Sequence, residues 1–233
     1  MPSLLTRISA VSLVALASLT LTGCSIGMPF SVGESPIAAA QAAATSTPTP
    51  TPTPELVFNS EFSDMGSVHP STLIGDELDL TLDMWTEQKT HDWTASSEKL
   101  FSFVINVFDN KVPADATFAN KRTVYMSKLV VTATTSTDSG TSSTPFVLNV
   151  DPVAATLDPE AIRSEYGLLI TSPKGGFQLE SNAINQLPDD TNGLNLDFAM
   201  TITSEAASGT KNFIQQEVHI SVPVAIFDVA TTS

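Results

Sequence analysis

From Leu78 to Ile226 most of the apolar residues recur with period two. Leu78, Leu80, Leu82 and Met84 alternate with Asp79, Thr81 and Asp83, the pattern of a strand with one buried and one wet face. Phe101, Phe103, Ile105 and Val107 share one phase, and Val104 and Phe108 on the other predict burial of both faces. Val124 to Ala133 is apolar but slips phase near Lys128, which predicts a bulge. Phe146, Leu148 and Val150 alternate again, as do Leu194 to Ile202 and Val218 to Ile226. Pro223 falls on the polar phase of the last run and predicts an edge strand or a bulge there. Two short apolar pieces, Leu168–Ile170 and Phe177–Leu179, flank Ser172-Pro-Lys-Gly-Gly176, which reads as a hairpin turn. The Thr/Ser run from Thr132 to Thr144, with Asp138-Ser-Gly140 inside it, reads as a long mobile hairpin loop. Asp158 to Gly167 has an aspartate N-cap, a proline at the first helical position and a closing glycine, so it predicts one or two helical turns.

These elements predict an all-β fold: a β-sandwich of about 7–8 strands with one short helix, over residues 55–233. In outline it resembles an immunoglobulin-like architecture. The Cys–Trp–Cys core of antibody domains is missing, because the chain has one cysteine.

The first 54 residues are patterned differently. Arg7 and the amino terminus give a weak positive start, and Ile8 to Leu21 is an uncharged run of 14 residues. A bilayer takes about 20 residues to span, so this run has the length of a signal-peptide core. Leu21-Thr22-Gly23-Cys24 follows, and Cys24 is the sole cysteine. This stretch resembles the lipobox of bacterial lipoproteins. The resemblance covers residues 1–24. It implies removal of residues 1–23 by cleavage between Gly23 and Cys24, and a diacylglyceryl thioether on the Cys24 sulfur. It also implies anchoring on the outer face of a bacterial membrane. Each buried methylene contributes about 0.8 kcal/mol and one acyl chain holds only marginally, so two chains make a stable anchor. Cys24→Ser is expected to leave the protein unprocessed or released to the medium. Lipid-labelled variant in the membrane fraction would contradict the lipobox reading.

Residues 24–54 read as a disordered spacer carrying the lipid. Its alternating Thr-Pro end, Thr47 to Pro54, favours polyproline II, and eight such residues reach about 25 Å. Spacers of this kind are similar to those of many actinobacterial lipoproteins, which implies a Gram-positive cell.

Charge and chemistry narrow the function. Loss of Arg7 would leave 9 basic against 25 acidic side chains, a formal charge of −16. Such a surface repels phosphate backbones, so nucleic acid is not an expected partner. One cysteine excludes a disulfide within the chain and cysteine-based metal sites. The serine-hydrolase elbow, the phosphate loop, the dinucleotide fingerprint and the H-E-x-x-H motif are all missing. No catalytic residue and no cofactor is predicted. His69, His91 and His219 lack metal-ligand spacing. Asp76, Glu77, Asp79 and Asp83 form an acidic group near one strand, and Asp189, Asp190 and Asn192 form a weak calcium candidate without the full loop spacing. The most unusual stretch holds Trp85, His91, Asp92 and Trp93. If Leu80, Leu82 and Met84 face inward, Trp85 faces outward, and these four residues form a candidate recognition surface for a sugar ring or a protein, the alternative being a loop that folds back and buries one or both rings. The leading expectation is a non-enzymatic, membrane-anchored binding or assembly module with an unknown protein or glycan ligand. The alternatives are an envelope-polymer hydrolase with a carboxylate site and a solute-binding receptor.

Overall fold

The computed structural model describes Phe62 and residues 66–228. Cys24, Gly23, the spacer and the boundary at residue 55 lie outside the described residues.

The described residues form β1 (Ser67–Val68), β2 (Ser71–Ile74), β3 (Leu78–Trp85), β4 (Lys99–Asp109), β5 (Val124–Thr137) and β6 (Phe146–Val150). After these come α1 (Pro152–Ala155), β7 (Arg163–Ser164), β8 (Gly167–Leu169), β9 (Phe177–Ile184), β10 (Thr191–Glu205) and β11 (Phe213–Ala225). The strands make two antiparallel sheets. One runs β1-β3-β4-β9, with β2 also on β3, and the other runs β11-β10-β5-β8-β7, with β6 also on β5. The fold is an all-β sandwich. There are more strand segments than the 7–8 expected, because β1, β2 and β7 are too short to show a period.

The alternation works as the pattern requires. Leu78, Leu80, Leu82 and Met84 are buried while Asp79, Thr81 and Asp83 are half-buried on the other face. Facing rows interlock between the sheets. Phe103 of β4 meets Phe198 of β10 edge-on at 5.2 Å, and Phe101 of β4 meets Phe146 of β6 at 5.7 Å. Aromatic pairs favour this geometry because a positive ring edge meets a negative ring face. The phase slip near Lys128 is a bulge. Thr201 pairs Lys128 while Ile202 pairs Met126, so Ser127 is the extra residue. Pro223 lies on β11, which among the described residues pairs only with β10 and is an edge.

Several local expectations need correction. The helix is at Pro152–Ala155, capped by the Asp151 side chain accepting from the Val153 amide at 2.9 Å. Asp158 begins a turn instead, its carboxylate accepting from the Glu160 amide at 2.8 Å, and residues 163–169 then form the β7–β8 hairpin. A short isolated helix is marginal, whereas the hairpin buries Leu168 and Leu169 and extends the sheet from β5. Gly167 is needed for that approach and not for a helix end. Its φ is +117°, and a Cβ there would strike the Met126 carbonyl. Ser172–Gly176 is not a hairpin turn but a crossing between sheets, since β8 pairs β5 and β9 pairs β4. The Val107 amide donates to the Ile170 carbonyl at 2.8 Å and the Ser172 amide to the Val107 carbonyl at 2.9 Å, which stitches the two sheets at the crossing. The second face of β4 is open: Phe108 is 42% exposed and Val104 half-buried. The Thr132–Thr144 run is strand up to Thr137, paired with β10, and Thr135 is tied to Ser143 by hydrogen bonds in both directions.

Two buried charges fix the ends of β4. At one end Asp109 and Arg122 are each 4% exposed. The guanidinium Nη2 donates to Asp109 Oδ1 at 2.6 Å, and the Arg122 Nε and backbone amide donate to Oδ2 at 3.1 and 2.9 Å. At the other end Lys99 is fully buried and its ammonium donates to the Thr94 carbonyl at 2.8 Å and to the Ser97 carbonyl. Burial pushes the Lys99 ammonium down to about 8. Between pH 8 and 10.5 the unfolded chain then holds a proton that the folded chain has released, so stability rises with pH across that window. Lys99→Met is expected to flatten this rise, which amounts to at most about 3 kcal/mol. Denaturant titrations at pH 7, 9 and 10.5 check it, and a variant with the same slope as wild type would contradict it.

Candidate functional site

The described residues do not gather the recognition surface expected around the two tryptophans. Trp93 is in the core, fully buried, packed on Phe62 at 5.3 Å and donating its indole N–H to Gln88 Oε1 at 3.0 Å. The 86–98 connection folds back over the sandwich end, where the Phe227 amide donates to the Trp93 carbonyl at 2.9 Å. Trp85 does lie on the outer face of β3, half-buried on a cleft of about 150 Å³. His91 and Asp92 are exposed and 3.6 Å apart. The four residues are thus divided between core and surface.

The calcium candidate is a joint between hairpins. The Asp138 amide donates to the Asp190 carbonyl at 3.0 Å, and Asn192 Nδ2 donates to Asp138 Oδ1 at 2.8 Å. Hydrogen bonds from Ser139 hold the Asp190 carboxyl below the usual carboxylate range. Asp189 is exposed. Among the described residues no three His, Cys, Asp or Glu side chains converge closely enough to hold a metal. The acidic group near β3 is divided too, Asp76 pairing with Lys111 and Asp83 with His69 at 2.7 Å.

The histidines remain apart. His219 Nδ1 is 3.0 Å from Asp197 Oδ2, and Ser221 Oγ donates to Asp197 Oδ1 at 3.1 Å. The hydrogen bond and charge of Asp197 push the His219 imidazole up, burial opposes this, and Glu217 adds to it. Here the carboxylate lies between serine and histidine. A hydrolytic triad needs the histidine in the middle, touching the serine, so this group does not activate Ser221.

A cleft that gathers aromatic rings lies at the other end of the second sheet, smaller than one of about 590 Å³ lined by Val104, Leu157 and Leu179, and the sequence patterns did not point to it. It holds about 430 Å³, within the range of small-ligand sites. Tyr125 stands on the outer phase of β5, Phe213 opens β11, and Tyr166 rides on the β7–β8 turn. The rings form one cluster, with centroids 4.4 Å apart for Tyr166–Phe213 and 6.1 Å for each to Tyr125. All three are half-buried. Glu205 ends β10 on the same outer phase, yet it is only 4% exposed because the cleft walls cover it. Its Oε2 accepts from the Thr123 hydroxyl and amide at 3.1 and 3.3 Å, and its Oε1 from the Lys211 amide at 2.9 Å. Lys211 has φ +55°, a left-handed conformation that ordinary side chains seldom adopt. Glu205 therefore fixes the turn that carries Phe213. Lys121 is a second covered charge, donating from Nζ to the Ala114 carbonyl at 3.2 Å, while Glu165 and Lys211 reach solvent at the rim. The Asp109–Arg122 pair supports the cleft from beneath. Thr171 Oγ1 donates to the Arg122 carbonyl at 3.1 Å and accepts from the Val124 amide at 2.8 Å, setting the strand start that bears Tyr125.

No known protein family matches this chain, and no curated protein or solved structure matches it either. The site is therefore read from its own residues. The only sequence signal for it was an aromatic residue on a solvent phase, Tyr125, but nothing local joins Tyr125 to Tyr166 and Phe213.

Proposed function

We propose that this chain is a bacterial lipoprotein, held on the outer face of the cell membrane by lipid on Cys24, whose β-sandwich is a non-enzymatic binding module. The lipobox-like Leu21-Thr22-Gly23-Cys24 after a 14-residue apolar run supports the anchor. The contiguous ring cluster of Tyr125, Tyr166 and Phe213 on an open cleft carries the binding reading. Half-buried aromatic rings beside fixed polar groups are the usual composition of a recognition site. The test compares retention of envelope components by immobilised full-length protein and by Tyr166→Ala. Retention lost in the variant, with thermal stability kept, is the expected result. Equal retention by both proteins would contradict the reading.

A hydrolase acting on envelope polymers draws on one observation, the two carboxylates Glu165 and Glu205 at one cleft. Glycoside hydrolysis uses such pairs. Three hydrogen bonds commit Glu205 to holding the Lys211 turn and the Thr123 strand start, which favours binding over turnover.

A further inference from the structure

We infer that the Tyr125–Tyr166–Phe213 cleft takes a neutral saccharide, an inference that rests on the binding-module reading. Three features select this ligand class. First, the charges lining the cleft balance: Glu165 and Glu205 are matched by Lys121 and Lys211. A phosphorylated ligand would meet two carboxylates here and a formal charge of −15 on the whole chain. A cationic ligand would meet two ammonium groups.

Second, the rings are arranged as a platform and not as a cage. A cation is held within about 6 Å of several ring centroids surrounding a common void. Here the centroids are 4.4 to 6.1 Å from one another, the spacing of rings in direct contact. The cluster leaves no central space for an ammonium group. It offers ring surface to a flat, partly apolar ligand, and the C–H face of a pyranose has that character.

Third, hydrogen-bonding groups border the platform. Among the described residues neither the Tyr125 nor the Tyr166 hydroxyl has a protein partner. Each can donate and accept. The Glu165 carboxylate and the Lys211 ammonium at the rim add an acceptor and a donor. A sugar ring presents hydroxyls around its edge, each both donor and acceptor, and matches this mixed border. The volume, about 430 Å³, suits a short oligosaccharide segment.

The test titrates neutral oligosaccharides of hexose and of N-acetylhexosamine units into the full-length, detergent-solubilised protein by calorimetry. Tetramethylammonium and a short oligolysine serve as cationic probes. At least one neutral oligosaccharide is expected to bind. Phe213→Ala is expected to weaken that binding at least tenfold. Tyr125→Phe combined with Tyr166→Phe keeps the packing and removes only the free hydroxyls, so it should weaken binding several-fold at unchanged thermal stability. The inference is overturned if no neutral oligosaccharide binds, or if one binds equally well to both variants. Cationic probes binding at the cleft while saccharides do not would overturn it too, but leave the binding-module reading intact. That reading fails separately, if envelope retention is the same for wild type and Tyr166→Ala.

Discussion

Asp109→Ala is expected to lower the unfolding free energy by about 3–5 kcal/mol at neutral pH. The loss does not equal the worth of the ion pair. It is the cost of leaving the Arg122 guanidinium, itself only 4% exposed, without a counter-charge and without the acceptor of its Nε, Nη2 and backbone amide. Replacing both partners, as in Asp109→Leu with Arg122→Met, should therefore recover much of what the single change loses. The same site predicts acid sensitivity. Burial pushes the Asp109 carboxyl up, but the hydrogen bonds and charge of Arg122 outweigh it and hold the group below its ordinary value. A carboxyl depressed in the folded state stabilises above its unfolded pKa, and that contribution is lost as pH falls through the folded value. Denaturant unfolding at pH 7 and pH 3 measures both effects. A single-variant loss under 1 kcal/mol would contradict the role assigned to the pair. The consequence reaches the cleft, because the Arg122 carbonyl anchors Thr171, which in turn holds the strand start below Tyr125.

Phe103→Ala is expected to cost about 3–5 kcal/mol as well, by a different mechanism. Phe103 is fully buried at the middle of β4 and touches rings on two strands, Phe177 of β9 in its own sheet at 6.4 Å and Phe198 of β10 in the facing sheet at 5.2 Å. Truncation removes the transfer free energy of the ring and leaves a void between two hydrogen-bonded sheets that collapse poorly. Phe103→Leu fills more of that space and should cost clearly less. Equal losses for the alanine and leucine variants would show that packing volume at this layer does not control the stability of the sandwich. Neither core change touches the cleft, so ligand binding at temperatures below the transition should persist in Phe103→Leu.

The strands were legible because one buried face imposes period two on residues close in sequence. Leu78 to Met84 and Leu194 to Ile202 carry that imprint along one strand each. The bulge at Ser127 was legible for the same reason, as a local break in phase. The errors fell where distant partners decide. For Trp93 the local sequence leaves an exposed platform and a folded-back loop both open, and Gln88 decides for the second, accepting from the indole N–H at 3.0 Å and from the Leu100 amide at 2.6 Å. Asp158-Pro159 and Asp151-Pro152 carry the same helix-start chemistry, and only the second keeps it. The pairing of Arg163 with Leu168 and the close approach of Gly167 to Met126 outweigh local propensity at the other. The cleft was the least legible feature. Its rings come from positions 125, 166 and 213, and each looks unremarkable in its own segment. Only the β5–β10–β11 register and the overlying β7–β8 turn bring them into contact.

The proposed function places the sandwich on a lipid tether at the cell surface. Intact mass spectrometry of the protein extracted from membranes tests this most directly. The predicted mass is that of a chain beginning at Cys24 with a diacylglyceryl group on it. A chain that retains residues 1–23, or one with an unmodified Cys24, would contradict the account.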